Sequence, residues 1–189
     1  MGVAFAVLLL LSAGMVSAPR SDVPLTEIGD FYNENASVVL IAQAVGLAAT
    51  AIFAFFISGL ARLIGDARVK VVGLVVAAAS VLTAVPLIVM SFQGSDPSPT
   101  MVSLTDLTDA ILFLAIAVLL GLLATNEIFP MWIRGLSLVG ALLTLVRGIF
   151  GFFPIFSSLD FIAPLSFVVM VVVLSGWAFR FSSDKPLAV

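Results

Sequence analysis

Six apolar stretches, residues 3–18, 36–61, 71–92, 107–126, 131–153 and 161–179, take up most of this chain, and four of them hold no Asp, Glu, Lys or Arg. A helix that crosses the hydrocarbon core of a bilayer needs about 20 such residues. Isolated strands cannot satisfy their backbone groups in lipid, and no alternating ten-residue pattern is present. The chain therefore reads as all-α, a polytopic integral membrane protein built as one bundle of six transmembrane helices. Composition agrees: 62% of the 189 residues are hydrophobic and 10% charged, against about 25% charged in ordinary soluble domains.

Lysine and arginine give the bundle an inside and an outside. Arg62, Arg68 and Lys70 lie between the second and third stretches, Arg134 opens the fifth, and Arg180 and Lys185 follow the sixth. The opposite loops hold Arg20 alone against Asp22, Glu27, Asp30, Glu34, Asp96 and Asp160. Both termini are expected in the cytoplasm, with the protein in the plasma membrane. The first stretch has a second reading. Val16-Ser17-Ala18 fits a signal-peptidase site, although the segment before it lacks the usual basic residues and Pro19 would follow the cut. Cleavage would leave five helices and the same orientation for the rest.

Loops are short, so a single transmembrane domain spans 1–189. In the longest loop, Leu25, Ile28, Phe31 and Tyr32 recur on one helical face. The pattern predicts an amphipathic turn or two lying in the outer interface, either a lid or docking surface or, as the plainer reading, a helix that anchors the entry to the second span. Asn35-Ala36-Ser37 matches a glycosylation sequon by chance, since it abuts the membrane.

What is missing excludes much chemistry. The chain has no Cys and no His, which removes disulfides, thiolate chemistry, the usual haem and zinc ligands and an imidazole base. Lys70 and Lys185 are the only lysines and both flank apolar stretches. A formal charge of −3 and scattered basic residues give no footprint for nucleic acid. No catalytic residue, metal ligand or cofactor is expected, and the chain reads as non-enzymatic.

Besides Arg134 at the start of the fifth, two charges fall within the spans. Asp109 lies near the outer end of the fourth and Arg147 near the outer end of the fifth. The short turn from Glu127 to Pro130 makes these spans antiparallel neighbours, so the charges meet at similar depth. An intramembrane Arg costs about 2.5–3.5 kcal/mol unless paired or able to reach headgroups. Either Asp109 and Arg147 form a buried pair, which fixes the two helices or lines a polar pocket open to the outside, or Arg147 snorkels outward and Asp109 caps its helix. Asp106 and Asp109, three apart, share a helical face and read as caps at a helix start. The echo of Leu25-Thr26-Glu27-Ile28-Gly29-Asp30 in Leu104-Thr105-Asp106-Leu107-Thr108-Asp109 has the same explanation. Gln43 is an isolated polar group, expected in an interhelical hydrogen bond or at the same pocket. Pro86 should kink the third span.

Small residues every four positions mark helix contacts. Gly140, Thr144 and Gly148 form one stripe, and Ala42, Gly46 and Thr50 another. These stripes, with short loops and few ligand-type side chains, favour an accessory or scaffold subunit. Its partners would be membrane lipid, other membrane proteins or a second copy. The alternative is a small transporter or channel with its pocket near Arg147, Asp109 and Gln43.

Phe129-Pro130-Met131-Trp132-Ile133-Arg134-Gly135-Leu136, the stretch Phe31 to Asn35, the run Gly59 to Leu63 and Trp177 resemble the corresponding parts of an uncharacterised group of small bacterial multi-pass proteins, actinobacterial in type. That resemblance implies a six-helix bundle in a bacterial plasma membrane and no particular activity. The chain departs from the group in lacking a basic tail before the first span.

Overall fold

The computed structural model describes every residue except 17, 20, 21, 152, 157 and 184–189; Arg20, Lys185 and the centre of the Val16-Ser17-Ala18 motif thus lie outside the described residues. Six α-helices follow one another: α1 (Gly2–Met15), α2 (Leu25–Ile64), α3 (Ala67–Gln93), α4 (Pro99–Thr125), α5 (Met131–Phe150) and α6 (Leu159–Ser183). One 3-10 turn, Pro154–Phe156, lies between α5 and α6. Five helices, α2 to α6, are long and apolar enough to cross a membrane. Between 28% and 44% of their most apolar windows is buried in the bundle. The rest is apolar surface such as Phe55, Val75 and Val118, which water would not tolerate at this extent.

α1 has 14 residues, about 21 Å at 1.5 Å per residue, and is shorter than a bilayer core of about 30 Å. It is nevertheless part of the core. Phe5 packs against Phe53 of α2 and Phe167 of α6 at ring-centroid distances of 5.1 and 6.0 Å. Ser12 Oγ donates to the Ala42 carbonyl at 2.8 Å. Gly2 lies so close to Ser175 that any β-carbon would collide with it.

The small-residue stripes are used inside the bundle. A methyl on Gly140 would sit 3.0 Å from Leu120, one on Gly148 3.0 Å from Leu114, and one on Gly46 3.1 Å from Ser12. Thr144 and Ala42 are fully buried, and Thr50 Oγ1 shares a hydrogen bond with Ser80 Oγ at 2.9 Å. Backbones approach there because side chains are small. The faces read from sequence as available to a partner are already occupied.

Two expectations need correction. The amphipathic segment is not a separate turn: it is the start of α2, whose 40 residues run unbroken from Leu25, so it leads directly into the second span. At about 60 Å this helix is longer than a bilayer core of about 30 Å. Its apolar face, Ile28, Tyr32 and Val39, packs on Met90 of α3 and Val102 of α4, and Gly29 touches the Ser95 carbonyl where no side chain would fit. In the same way α4 begins at Pro99, after Ser98. Asp106 and Asp109 are thus two to three turns inside the helix and cap nothing. Asn35 is helical too, its amide donating to the Phe31 carbonyl at 3.0 Å. Pro86 lies buried within α3 without ending it.

At the opposite end the turns are tight. Gly65 closes α2 at φ 71°, a left-handed conformation that suits glycine. Asp66 then opens α3 by accepting from the Arg68 backbone N–H at 3.0 Å and from its guanidinium at 2.9 Å. The hydrogen bond from the Arg68 side chain holds the Asp66 carboxyl below its usual range. Arg134 Nε donates to the Ala124 carbonyl at 3.0 Å and so satisfies an acceptor at the end of α4.

Candidate polar pocket

The two intramembrane charges meet. Arg147 Nη2 donates to Asp109 Oδ2 at 2.6 Å. Depth explains the match: Asp109 precedes the end of α4 at Thr125 by sixteen positions, and Arg147 follows the start of α5 at Met131 by sixteen, each about 24 Å along its helix. A second carboxylate completes the group, with Asp160 Oδ1 2.6 Å from Arg147 Nε. The guanidinium lies over the Phe113 ring, 4.9 Å from its centroid, an arrangement that favours a cation on the ring face. Arg147 is thereby held on three sides by α4 and α6, and its side chain keeps 13% exposure. It does not extend away to headgroups.

Above this group lies a cavity of about 400 Å³. Asp109, Arg147 and Asp160 form part of its wall, joined by Thr105 and Asp106 from α4, Gln43 from α2, and Thr83 and Leu87 from α3. Ala18 and Pro19, just after α1, and Gly151, just after α5, complete it. Counted along α2 to α5 from the opposite end, these positions lie about 24–32 Å up the bundle. Three carboxylates face one guanidinium, so the formal charge of the lining is negative. Of the residues singled out in the sequence, Asp109, Arg147 and Gln43 line this cavity together. Thr50, Gly140 and Thr144 lie deeper and Gly46 and Gly148 at the level of the cavity, all of them in helix contacts.

Three contributors escaped the sequence reading. Asp160 was counted as an outer loop charge, yet it lies in the first turn of α6, facing back toward Arg147. Phe113 follows Asp109 by four positions and Gly151 follows Arg147 by four, the spacing that stacks side chains on one helical face. A β-carbon on Gly151 would collide with the Arg147 guanidinium; the glycine makes room for the charge, since its φ of −61° is ordinary.

A second, smaller cavity of about 110 Å³ lies one turn deeper, lined chiefly by Phe5, Phe53, Phe113, Ala77 and Phe167 with Thr50 and Ser80 at one wall. No protein-family model matches the chain, and no curated protein or solved structure is significantly similar to it.

Proposed function

We propose that this is a non-enzymatic multi-pass protein of a bacterial plasma membrane that receives a small polar solute in a pocket open to the outside, as a binding protein or carrier. The supporting observation is the 400 Å³ cavity with Arg147 and its two carboxylates in the wall. Pairing alone would tie the helices; what favours a solute is that the paired charges, with Asp106 and Gln43, line a cavity and are not packed solid. The sidedness rests on Arg62, Arg68, Lys70, Arg134 and Arg180, which gather at the end opposite the pocket; both termini are then cytoplasmic if α1 is retained. The accessory-subunit reading loses its main motive, because the glycine stripes pack within the chain.

The lack of cysteine makes the test clean. Thr105→Cys, in the pocket wall, should react in intact cells with a membrane-impermeant charged methanethiosulfonate, and Ser58→Cys, near the opposite end of α2, should not. Labelling of position 58 but not 105 reverses the orientation. Protection of both positions closes the pocket and returns the scaffold reading.

A further inference from the structure

Four helices place one residue in the polar pocket and another one or two turns deeper in the apolar cavity. On α3 these are Thr83 and Ser80, on α4 Asp109 and Phe113, on α6 Asp160 and Pro164, and on α2 Gln43 and Thr50. The two chambers are therefore stacked along the bundle axis, and Arg147, in the wall of the upper one, lies on the ring of Phe113, in the wall of the lower. The upper chamber has an excess of carboxylates; the lower one is walled by aromatic rings and aliphatic side chains.

We infer that the solute of this pocket is an amphiphilic organic cation, whose charged head occupies the upper chamber and whose short apolar tail enters the lower one. The inference rests on the pocket reading above and narrows its ligand class. Charge sets the sign of the head: Asp106, Asp109 and Asp160 outnumber Arg147, so a cation gains attraction and an anion meets repulsion. The apolar chamber sets the tail, since it offers little to hydrogen-bond and rewards removal of methylenes from water. The contact of Arg147 with Phe113 supplies the coupling. Arg147 is held over Phe113 by the same Asp109 and Asp160 that a cationic head would approach. An incoming head competes for those carboxylates, weakens the hold on the guanidinium and opens the way past the ring. An alkyl chain without a charge lacks that key.

The purified full chain in an uncharged detergent, titrated by calorimetry with tetramethylammonium, butyltrimethylammonium, hexyltrimethylammonium and hexanesulfonate, tests this. Saturable one-to-one binding of the cations is expected, each added methylene tightening it about 3- to 4-fold until the lower chamber is full. Hexanesulfonate should bind at least 10-fold more weakly than the hexyl cation. Ala77→Val, which narrows the lower chamber, should reduce the ratio of hexyl to tetramethyl affinity; Ala77→Ser, of nearly the original size but polar, should reduce it as well and serves if Ala77→Val folds poorly. Equal affinity for all cations in the unaltered protein overturns the inference while leaving a pocket for small solutes. Equal binding of sulfonate and ammonium overturns it too. If no probe binds and Thr105→Cys resists labelling, the pocket reading falls with it.

Discussion

Asp160, in the first turn of α6, holds its Oδ1 2.6 Å from Nε of Arg147 in α5. With Asp109 on the other side of the guanidinium, the fourth, fifth and sixth helices are tied at one point near the end of the bundle. Arg147 can lose either carboxylate and keep a counter-charge, but it cannot lose both.

Non-additivity is the signature of that arrangement. Asp109→Asn and Asp160→Asn should each cost about 1 kcal/mol, the net worth of a typical intramolecular polar contact, because the guanidinium keeps one counter-charge. The double variant leaves a nearly buried guanidinium without a partner, for which roughly 3–5 kcal/mol is usual; the partial exposure of the carboxylates places the expected loss at the lower end. Unfolding midpoints in detergent should show the double loss exceeding the sum of the singles. Simple additivity would mean that Arg147 draws little from either partner.

Gly151 and Gly121 separate space from propensity. Gly151→Ala pushes a methyl into the Arg147 guanidinium and should destabilise by about 1–3 kcal/mol, as overpacking does. Gly121, inside α4, has nothing within 4 Å of a built β-carbon, so Gly121→Ala should be neutral or stabilise by up to about 1 kcal/mol. Thermal unfolding of the two purified variants compares them directly.

α1 earns its place through Phe5, which shares a three-ring cluster with Phe53 and Phe167. Phe5→Ala should cost about 1–3 kcal/mol, less than the roughly 3–5 kcal/mol of a soluble core because lipid is itself apolar. Amino-terminal sequencing of protein isolated from membranes provides a second check. A mature chain starting near Pro19 would mean that the bundle functions without this ring.

Asp66 gives a pH dependence of known sign. Its carboxyl is held below the ordinary value by Arg68, so the contribution to the start of α3 is present above the unfolded carboxylate range and lost as pH falls through the folded value. Amide exchange at Arg68 and Val69, corrected for the intrinsic rate, should accelerate on acidification in the unaltered chain. Asp66→Asn keeps a cap and should flatten that dependence.

Hydropathy made the spans legible because a bilayer imposes length and apolarity on every crossing segment. Helix starts were less so. Asp106 and Asp109 look like caps because charge is expected at helix ends, yet Pro99 begins α4 well before them and the outer ends of α2 and α4 extend past the apolar stretches. The Asp109–Arg147 contact could be anticipated from a short turn and equal depths. Asp160 could not: its counterpart lies thirteen positions earlier across a bend, and acidic residues at an outer end suit the positive-inside pattern without any partner. The cavity itself is a property of how five helices splay, which no local spacing encodes.

A pocket open to the outside must have a wet wall. A nitroxide attached to Thr105→Cys in reconstituted vesicles reports this through its collisions with a water-soluble nickel complex and with oxygen, which concentrates in lipid. Position 105 should favour the nickel complex, while Val118→Cys, on the exposed apolar face of α4, should favour oxygen. A spin label at 105 that favours oxygen, or that meets neither reagent, contradicts a pocket open to water.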